Sequence, residues 1–354
     1  MRTSLPTGHS RQKDHQAAPS SQDDYQARTP SFKIAEKIFE EHRIQSSATA
    51  QTDALPGNMV HRDDLCRILT IKSILGIDLP SDNIVGRLVD SYFTSVQWYL
   101  PVLDEPSFRA RLAPILESRS CSAGDQPFLM TVVVVMAIGA QFCAFEALRD
   151  FPQLGDVADL KSDLLSAIEI NYLRTFDDNN LDWTVFALLL SSLYMLCRQP
   201  RRSFVVLGSA IRAAQNMRLD REETWAKGIP NDVEMCRRIW WALYCVDKHA
   251  TIIGGKASMI TYDFNVGPVS HALESRTSGD GELRDRNCVT IDTYNTLRCT
   301  LYQITSPLTN DGFHQKNKPL EDTFASILKL HQELGAWKRN LPHSFSFRHI
   351  KTEK

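Results

Sequence analysis

The stretch RRIWWALY, residues Arg237–Tyr244, decides the fold of this chain. Four apolar residues recur at helical spacing and define one face: Ile239, Leu243, Val246 and Ala250. Trp240 and Tyr244 widen that face until the helix is apolar nearly all round, which is typical of a helix buried inside a protein. The stretch therefore predicts an interior helix in a wholly helical body.

The charged residues of this helix are interpreted, with its tryptophans, as a structural motif. The motif comprises Arg237, Arg238, Trp240, Trp241 and Asp247. Arg237 and Trp241 are four positions apart, so their guanidinium and indole are predicted to stack. Asp247 lies close to the apolar arc and needs a basic partner, for which Arg212 on the preceding helix is the candidate. The alternative interpretation makes both arginines phosphate contacts, but a helix this apolar does not lie open in a groove.

Helical periodicity extends to both sides of this stretch. Apolar spacing predicts further helices at Leu65–Leu75, Ile84–Val96, Phe108–Leu116, Val157–Phe176, Leu181–Leu196, Phe204–Met217, Thr290–Thr305 and Leu320–Asn340. Asp104 is a predicted helix cap, and Asn231 with Glu234 three residues later predicts the start of the arginine–tryptophan helix. No alternating strand pattern is found. The predicted fold class is all-α: a single large multi-helix domain, an irregular helical array, over residues 58–347.

The composition is that of a soluble globular protein with a polar N-terminal tail. Of 354 residues, 43% are hydrophobic and 23% charged, and the net charge is −2. Residues 1–57 hold seven Lys/Arg against seven Asp/Glu and little apolar surface, so we predict a disordered tail there. Residues 348–354 are predicted to form a short second tail, and Ser270–Asn287 an exposed, glycine-punctuated loop.

The segment Phe128–Phe145, FLMTVVVVMAIGAQFCAF, resembles a membrane span in length and apolar content. Gln141 interrupts it, Glu146 follows it at once, and no aromatic or basic anchors flank it. We therefore predict a central helix buried on all sides, and no membrane contact.

Signatures of catalysis and metal binding are missing from the sequence. No two of the eight cysteines are closer than nine positions, so no short-spaced ligand pair exists. Gly254–Ser258 superficially suggests a phosphate loop, but alanines, Ala250 and Ala257, occupy the positions where that loop needs a glycine and a Ser/Thr. We predict a protein that is not an enzyme, with no catalytic, cofactor-binding or metal-binding residues.

Four stretches, in this order, resemble the fungal-specific transcription factor domain, also called the middle homology region, of regulators with a binuclear zinc cluster. They are LVDSYFTSVQWYLPVLDEPSF (Leu88–Phe108), LGSAIRAAQNMRLDRE (Leu207–Glu222), CRRIWWALYCVDK (Cys236–Lys248) and LGAWKRNLP (Leu334–Pro342). The resemblance spans Ile84–Phe347. It implies an all-α regulatory domain that controls activity, contacts partners or senses effectors.

From this resemblance we expect a nuclear transcriptional regulator of a metabolic or secondary-metabolite gene set. Its expected partners are other regulators, including dimerisation with a zinc-cluster-bearing relative, and a small-molecule effector. The alternative is a ligand-sensing or scaffold helical protein without a transcriptional role.

The sequence departs from the family in its N-terminal region. The family's zinc cluster needs six cysteines within about 30 residues, and none precedes Cys66 here, so no zinc cofactor is expected. The chain is expected to be either a trimmed regulator or a gene product that lost both ends. Balanced charge makes promoter binding indirect. The basic cluster of Arg198, Arg201 and Arg202 is read as a solvated loop rather than a nuclear import signal.

Overall fold

The computed structural model describes residues 67–143, 157–176, 180–227, 233–255, 257–261, 264–269, 290–307, 319–342 and 345. All of them belong to one compact unit, His61–Lys354. The predicted tails at 1–57 and 348–354, the N-cap Asn231 and the loop Ser270–Asn287 lie outside the described residues.

Ten α-helices make up most of the described chain, which confirms the all-α fold class. They are α1 (Ile71–Leu75), α2 (Asp82–Ser95), α3 (Glu105–Ser118), α4 (Gln126–Phe142), α5 (Val157–Asn171), α6 (Leu181–Leu196), α7 (Pro200–Asn216), α8 (Val233–Gly254), α9 (Ile291–Pro307) and α10 (Leu320–Arg339). Short 3₁₀ turns follow at Ala123–Asp125, Tyr172–Thr175 and Glu222–Lys227.

One pair of short strands was not predicted. β1 (Ile68–Thr70) pairs antiparallel with β2 (Ser120–Ser122). The predicted helix at Leu65–Leu75 therefore begins only at Ile71, where Thr70 caps it by accepting a hydrogen bond from the Ser73 amide at 3.3 Å. Ile68, assigned to the helix by its spacing, is 74% exposed in β1, so that assignment was wrong.

Helix α4 is the centre of the core. Every residue from Pro127 to Ala140 is buried, and α2, α5 and α6 pack around it. The helix Ala123–Phe142 is long and apolar enough to cross a membrane, but 78% of its apolar window is buried inside the protein. The backbones of α2 and α4 meet at Gly139, where an added Cβ would lie 2.0 Å from the carbonyl oxygen of Leu88.

The predicted start of a helix agrees with the structure where a capping residue was identified. Asp104 caps α3 by accepting from the Ser107 amide at 3.0 Å. Helix α7 starts at Pro200, earlier than predicted, because proline is well tolerated in a first helical turn. The cluster read as a loop therefore has Arg201 and Arg202 inside α7, and Arg202 forms an ion pair with Glu169 of α5.

Candidate functional site

The two tryptophans of α8 lie in the interior, as the sequence predicted. Trp240 is 1% exposed and Trp241 is 7% exposed. Phe264 stands edge-on to both indoles, with ring centroids 5.5 and 5.6 Å apart. The Trp241 Nε1 donates a hydrogen bond to the Gly267 carbonyl at 2.8 Å. The indoles therefore hold the segment 264–269 against α8.

Arg237 binds a carboxylate instead of stacking on Trp241, so that prediction was wrong. Its Nε donates to Glu222 Oε2 at 3.0 Å, and its Nη2 donates to the other oxygen of the same carboxylate. Glu222 also accepts from the Gly267 amide at 2.7 Å. The Arg237 hydrogen bond lowers the pKa of Glu222. A two-point ion pair satisfies a guanidinium better than an aromatic face does.

Arg238 connects α8 to the start of α9. Its Nε lies 3.5 Å from Glu234 Oε1, and its Nη2 lies 3.6 Å from Asp292 Oδ1. The side chains of Arg238 and Asp292 are only 13% and 5% exposed. Since both motif arginines already face carboxylates, the geometry favours packing over the phosphate-contact interpretation.

Asp247 and Lys248 form a buried polar network with the segment 257–261. Asp247 accepts from Ser258 Oγ at 2.5 Å and from the Ile260 amide at 2.9 Å. Lys248 donates to Ser258 Oγ at 2.6 Å and to the Ile260 carbonyl at 2.7 Å. Burial lowers the pKa of Lys248 to about 8, against the opposing charge of Asp247. Arg212 is exposed on α7, so its predicted pairing with Asp247 was wrong.

Arg298 on α9 is a buried cation, 9% exposed. Its Nη1 donates to the Tyr99 carbonyl at 2.6 Å, and its guanidinium carbon lies 4.5 Å from the centroid of the Tyr99 ring. The Tyr294 ring lies 5.9 Å away on the same helix. The buried Nε has no hydrogen-bond partner. No carboxylate forms an ion pair with Arg298 in the described part of the chain.

Two further contacts join α8 to α9. The thiols of Cys245 and Cys299 lie 3.4 Å apart, and His249 Nδ1 lies 3.1 Å from the Tyr302 hydroxyl. Burial lowers the pKa of His249, and the charge of Arg298 lowers it further. Burial raises the pKa of Cys245, but the hydrogen bond with Cys299 and the charge of Arg298 outweigh it and the net direction is downward.

A cavity of about 1040 Å³ opens between α9, the end of α10 and His249 of α8; we call it the α9–α10 cavity. Its aromatic wall consists of Tyr99, Tyr294, Tyr302, Trp337 and Phe345. Arg298, Lys338 and Arg339 also line it, and none of the described residues in its lining is acidic. The Trp337 Nε1 is buried without a hydrogen-bond partner. The cavity is therefore both aromatic and positively charged.

Sequence reasoning missed this cavity and Arg298. One signal was available, because Tyr294, Arg298 and Tyr302 are four positions apart and share one face of α9. What the sequence did not show is that Tyr99, about 200 residues earlier, covers that face. In the described ranges, no three His, Cys, Asp or Glu side chains come together as a metal site would require.

Comparison with known proteins finds fungal transcriptional regulators that are similar to this chain. An uncharacterized transcriptional regulatory protein of Schizosaccharomyces pombe is 25% identical over 285 residues, covering 77% of this chain and 40% of the relative. The thiamine repressible genes regulatory protein thi1 of the same yeast is 22% identical, covering 76% of this chain and 34% of the relative. The transcription factor yanR of Aspergillus niger is 25% identical, covering 50% of this chain and 23% of the relative.

The chain thus spans well under half the length of these relatives. No solved structure matches it significantly. Residues 89–339, which include every helix from α3 to α10, match the fungal specific transcription factor domain. The chain belongs to the fungal specific transcription factor domain family.

Proposed function

We propose that this chain is a nuclear transcriptional regulator of a metabolic or secondary-metabolite gene set, and that it acts through its helical domain and protein contacts. The observation that carries the proposal is the family match over residues 89–339. The names of the relatives support it, since one regulates thiamine repressible genes and another is a transcription factor.

Contact with other regulators is proposed as the route to promoters. A net charge of −2 supplies no basic excess for the phosphate backbone. The two motif arginines are partly buried and are already paired with carboxylates, which disfavours their use as DNA contacts. Dimerisation with a zinc-cluster-bearing relative would supply the base contacts, and no zinc cofactor is assigned to this chain.

Chromatin immunoprecipitation of the tagged chain from its host tests the proposal. We expect enrichment of the promoters of one metabolic gene set, whereas the purified chain alone does not retard the same DNA. Asp247→Ala, which disrupts the buried network, is expected to abolish enrichment, and Asp163→Ala, at an exposed position of α5, is expected to retain it. Recovery of no promoter DNA above an untagged strain would contradict the proposal.

The alternative function is a ligand-sensing or scaffold protein without a transcriptional role. The α9–α10 cavity is the specific observation that favours ligand sensing. A fluorescently tagged chain that stays in the cytoplasm, with a melting temperature that responds to metabolites, would support this alternative over the regulator.

A further inference from the structure

The α9–α10 cavity contains a buried cation, Arg298, that no carboxylate of the described residues neutralises. Arg298 is nine-tenths buried, and one carbonyl, two aromatic rings and the Cys245 thiol surround its guanidinium. Removing a cation from water costs free energy unless a counter-charge and hydrogen bonds replace the lost hydration. A guanidinium has five N–H donors, and here the buried Nε donates to nothing.

Among the described residues, no carboxylate stands beside Arg298 as a counter-ion. The titratable neighbours that act on its charge are the thiols of Cys245 and Cys299 and the phenols of Tyr99 and Tyr294. The ordinary pKa values of thiols and phenols lie above 7, and Arg298 lowers the pKa of the Cys245 thiol among them. Every other ion-paired arginine of the described chain faces at least one carboxylate. Arg298 differs from them in burial and in partner.

The rest of the cavity adds to this positive field and provides flat apolar surfaces. Lys338 and Arg339 line it from α10, and the part of the lining that the structure describes holds no acidic residue to oppose them. Trp337 presents a ring and an unpartnered buried N–H donor. A volume of about 1040 Å³ exceeds what a simple inorganic anion needs and suits a small organic molecule.

We propose that the α9–α10 cavity binds an aromatic carboxylate, whose carboxylate pairs with the Arg298 guanidinium and whose ring packs among the tyrosines and Trp337. A carboxylate matches the forked geometry of arginine, and aromatic rings stack on both tyrosine and guanidinium faces. Because the cavity joins α8, α9 and α10, its occupant would tie α10 to the arginine–tryptophan helix. A regulatory role for this ligand rests on the proposed function, whereas its binding to the cavity is tested independently of that function.

Isothermal titration of the purified full chain tests binding with defined probes. The probes are 2-naphthoate, cinnamate and 4-hydroxybenzoate, each paired with its primary amide, together with decanoate and inorganic phosphate. We expect at least one aromatic acid to bind, and its amide, decanoate and phosphate to bind at least tenfold more weakly. Absence of binding by all three acids at 1 mM, equal binding of acid and amide, or equal binding of decanoate would overturn the proposal.

Variants assign the binding to the cavity. Arg298→Lys keeps the buried charge but loses the fork, so affinity for the acid should fall about tenfold or more. Trp337→Phe keeps a ring but removes the Nε1 donor, so a smaller loss of about threefold to tenfold is expected. Lys329→Gln, exposed on α10 outside the cavity, is the matched control and should bind like the unmodified chain.

The binding data can be interpreted even if one variant does not fold. Arg298→Lys and Trp337→Phe are compared only after circular dichroism shows helical content equal to that of Lys329→Gln. If Arg298→Lys fails to fold, Trp337→Phe decides, and unchanged affinity there overturns the proposal. Promoter recovery without acid binding would sink this inference and leave the proposed function standing, while acid binding without promoter recovery would do the reverse.

Discussion

Helices α4 and α8 are both buried, but different interactions stabilise them in the interior. Helix α4 has no charged residue, and its burial follows from the transfer of apolar side chains out of water. Helix α8 carries five charged residues, and Arg237, Asp247 and Lys248 among them are paired with groups outside the helix. The first helix is interior by composition, whereas the second is interior only because those partners are in place.

This difference separates two roles. Many helices of comparable volume and apolarity would fill the place of α4 if they kept a glycine at position 139, since cores accept many apolar sequences. The polar groups of α8 have specific partners, among them Glu222, Asp292 and Ser258. Helix α4 therefore supplies stability, and α8 positions the segments 257–261 and 264–269 and the start of α9.

Asp247→Ala is expected to have the largest effect on α8. Removing this carboxylate leaves the amides of Met259 and Ile260 without their acceptor and the buried Lys248 without the nearby negative charge, at about 3–5 kcal/mol of unfolding free energy. Urea denaturation measures the change. Asp163→Ala, exposed on α5, is the control and should change stability by no more than about 0.5 kcal/mol. Equal effects of the two substitutions would contradict the polar-network role of Asp247.

Two glycine substitutions test packing around α4, and we expect them to change the free energy of unfolding in opposite directions. Gly139→Ala places a Cβ 2.0 Å from the Leu88 carbonyl oxygen, so we expect a loss of about 1–3 kcal/mol. Gly86→Ala lies on α2, where an added Cβ meets nothing within 4 Å. Because alanine favours a helix, a gain of about 0.5–1 kcal/mol is expected there. Denaturation midpoints compare them, and a neutral Gly139→Ala would refute the close approach of the two helices.

Glu222→Gln tests how much the ion pair with Arg237 of α8 contributes to stability, and whether that contribution depends on pH. The pKa of Glu222 is lowered in the folded state, so the stability it contributes is present above its ordinary value of 4.5 and is lost as pH falls below it. We expect Glu222→Gln to lower the free energy of unfolding by about 1.5–3 kcal/mol at pH 7. We also expect its melting temperature to fall less than that of the unmodified chain as the pH is lowered. A decline as steep as that of the unmodified chain would contradict this coupling.

Arg202→Gln should have the smallest effect. Arg202 pairs with Glu169 at the surface, where the two side chains are 55% and 43% exposed. Exposed pairs contribute little because water and salt screen them, so we expect less than about 1 kcal/mol. The change should shrink further in 0.5 M salt, and a larger, salt-insensitive loss would show that this pair behaves like those of α8.

The sequence was a good guide to α4 and an incomplete one to α8. Apolar residues at helical spacing predicted both helices and the burial of Trp240, because burial of a helix face depends on local composition. The partners of Arg237 and Asp247 were predicted wrongly, since Glu222 and Ser258 reach them only after the chain has folded. Arg298 escaped notice for the same reason: Tyr99 and Trp337 are brought to it by tertiary structure.

Hydrogen exchange of the full chain, read at residues 237–251 of α8 and 128–140 of α4, tests the interior position of the arginine–tryptophan helix most directly. Amides of buried, hydrogen-bonded helices exchange only when the whole domain opens. We predict that α8 exchanges as slowly as α4, and that the exposed first half of α10, around Phe324, exchanges much faster than both. Exchange of α8 at the rate of α10 would show that the helix lies open to solvent.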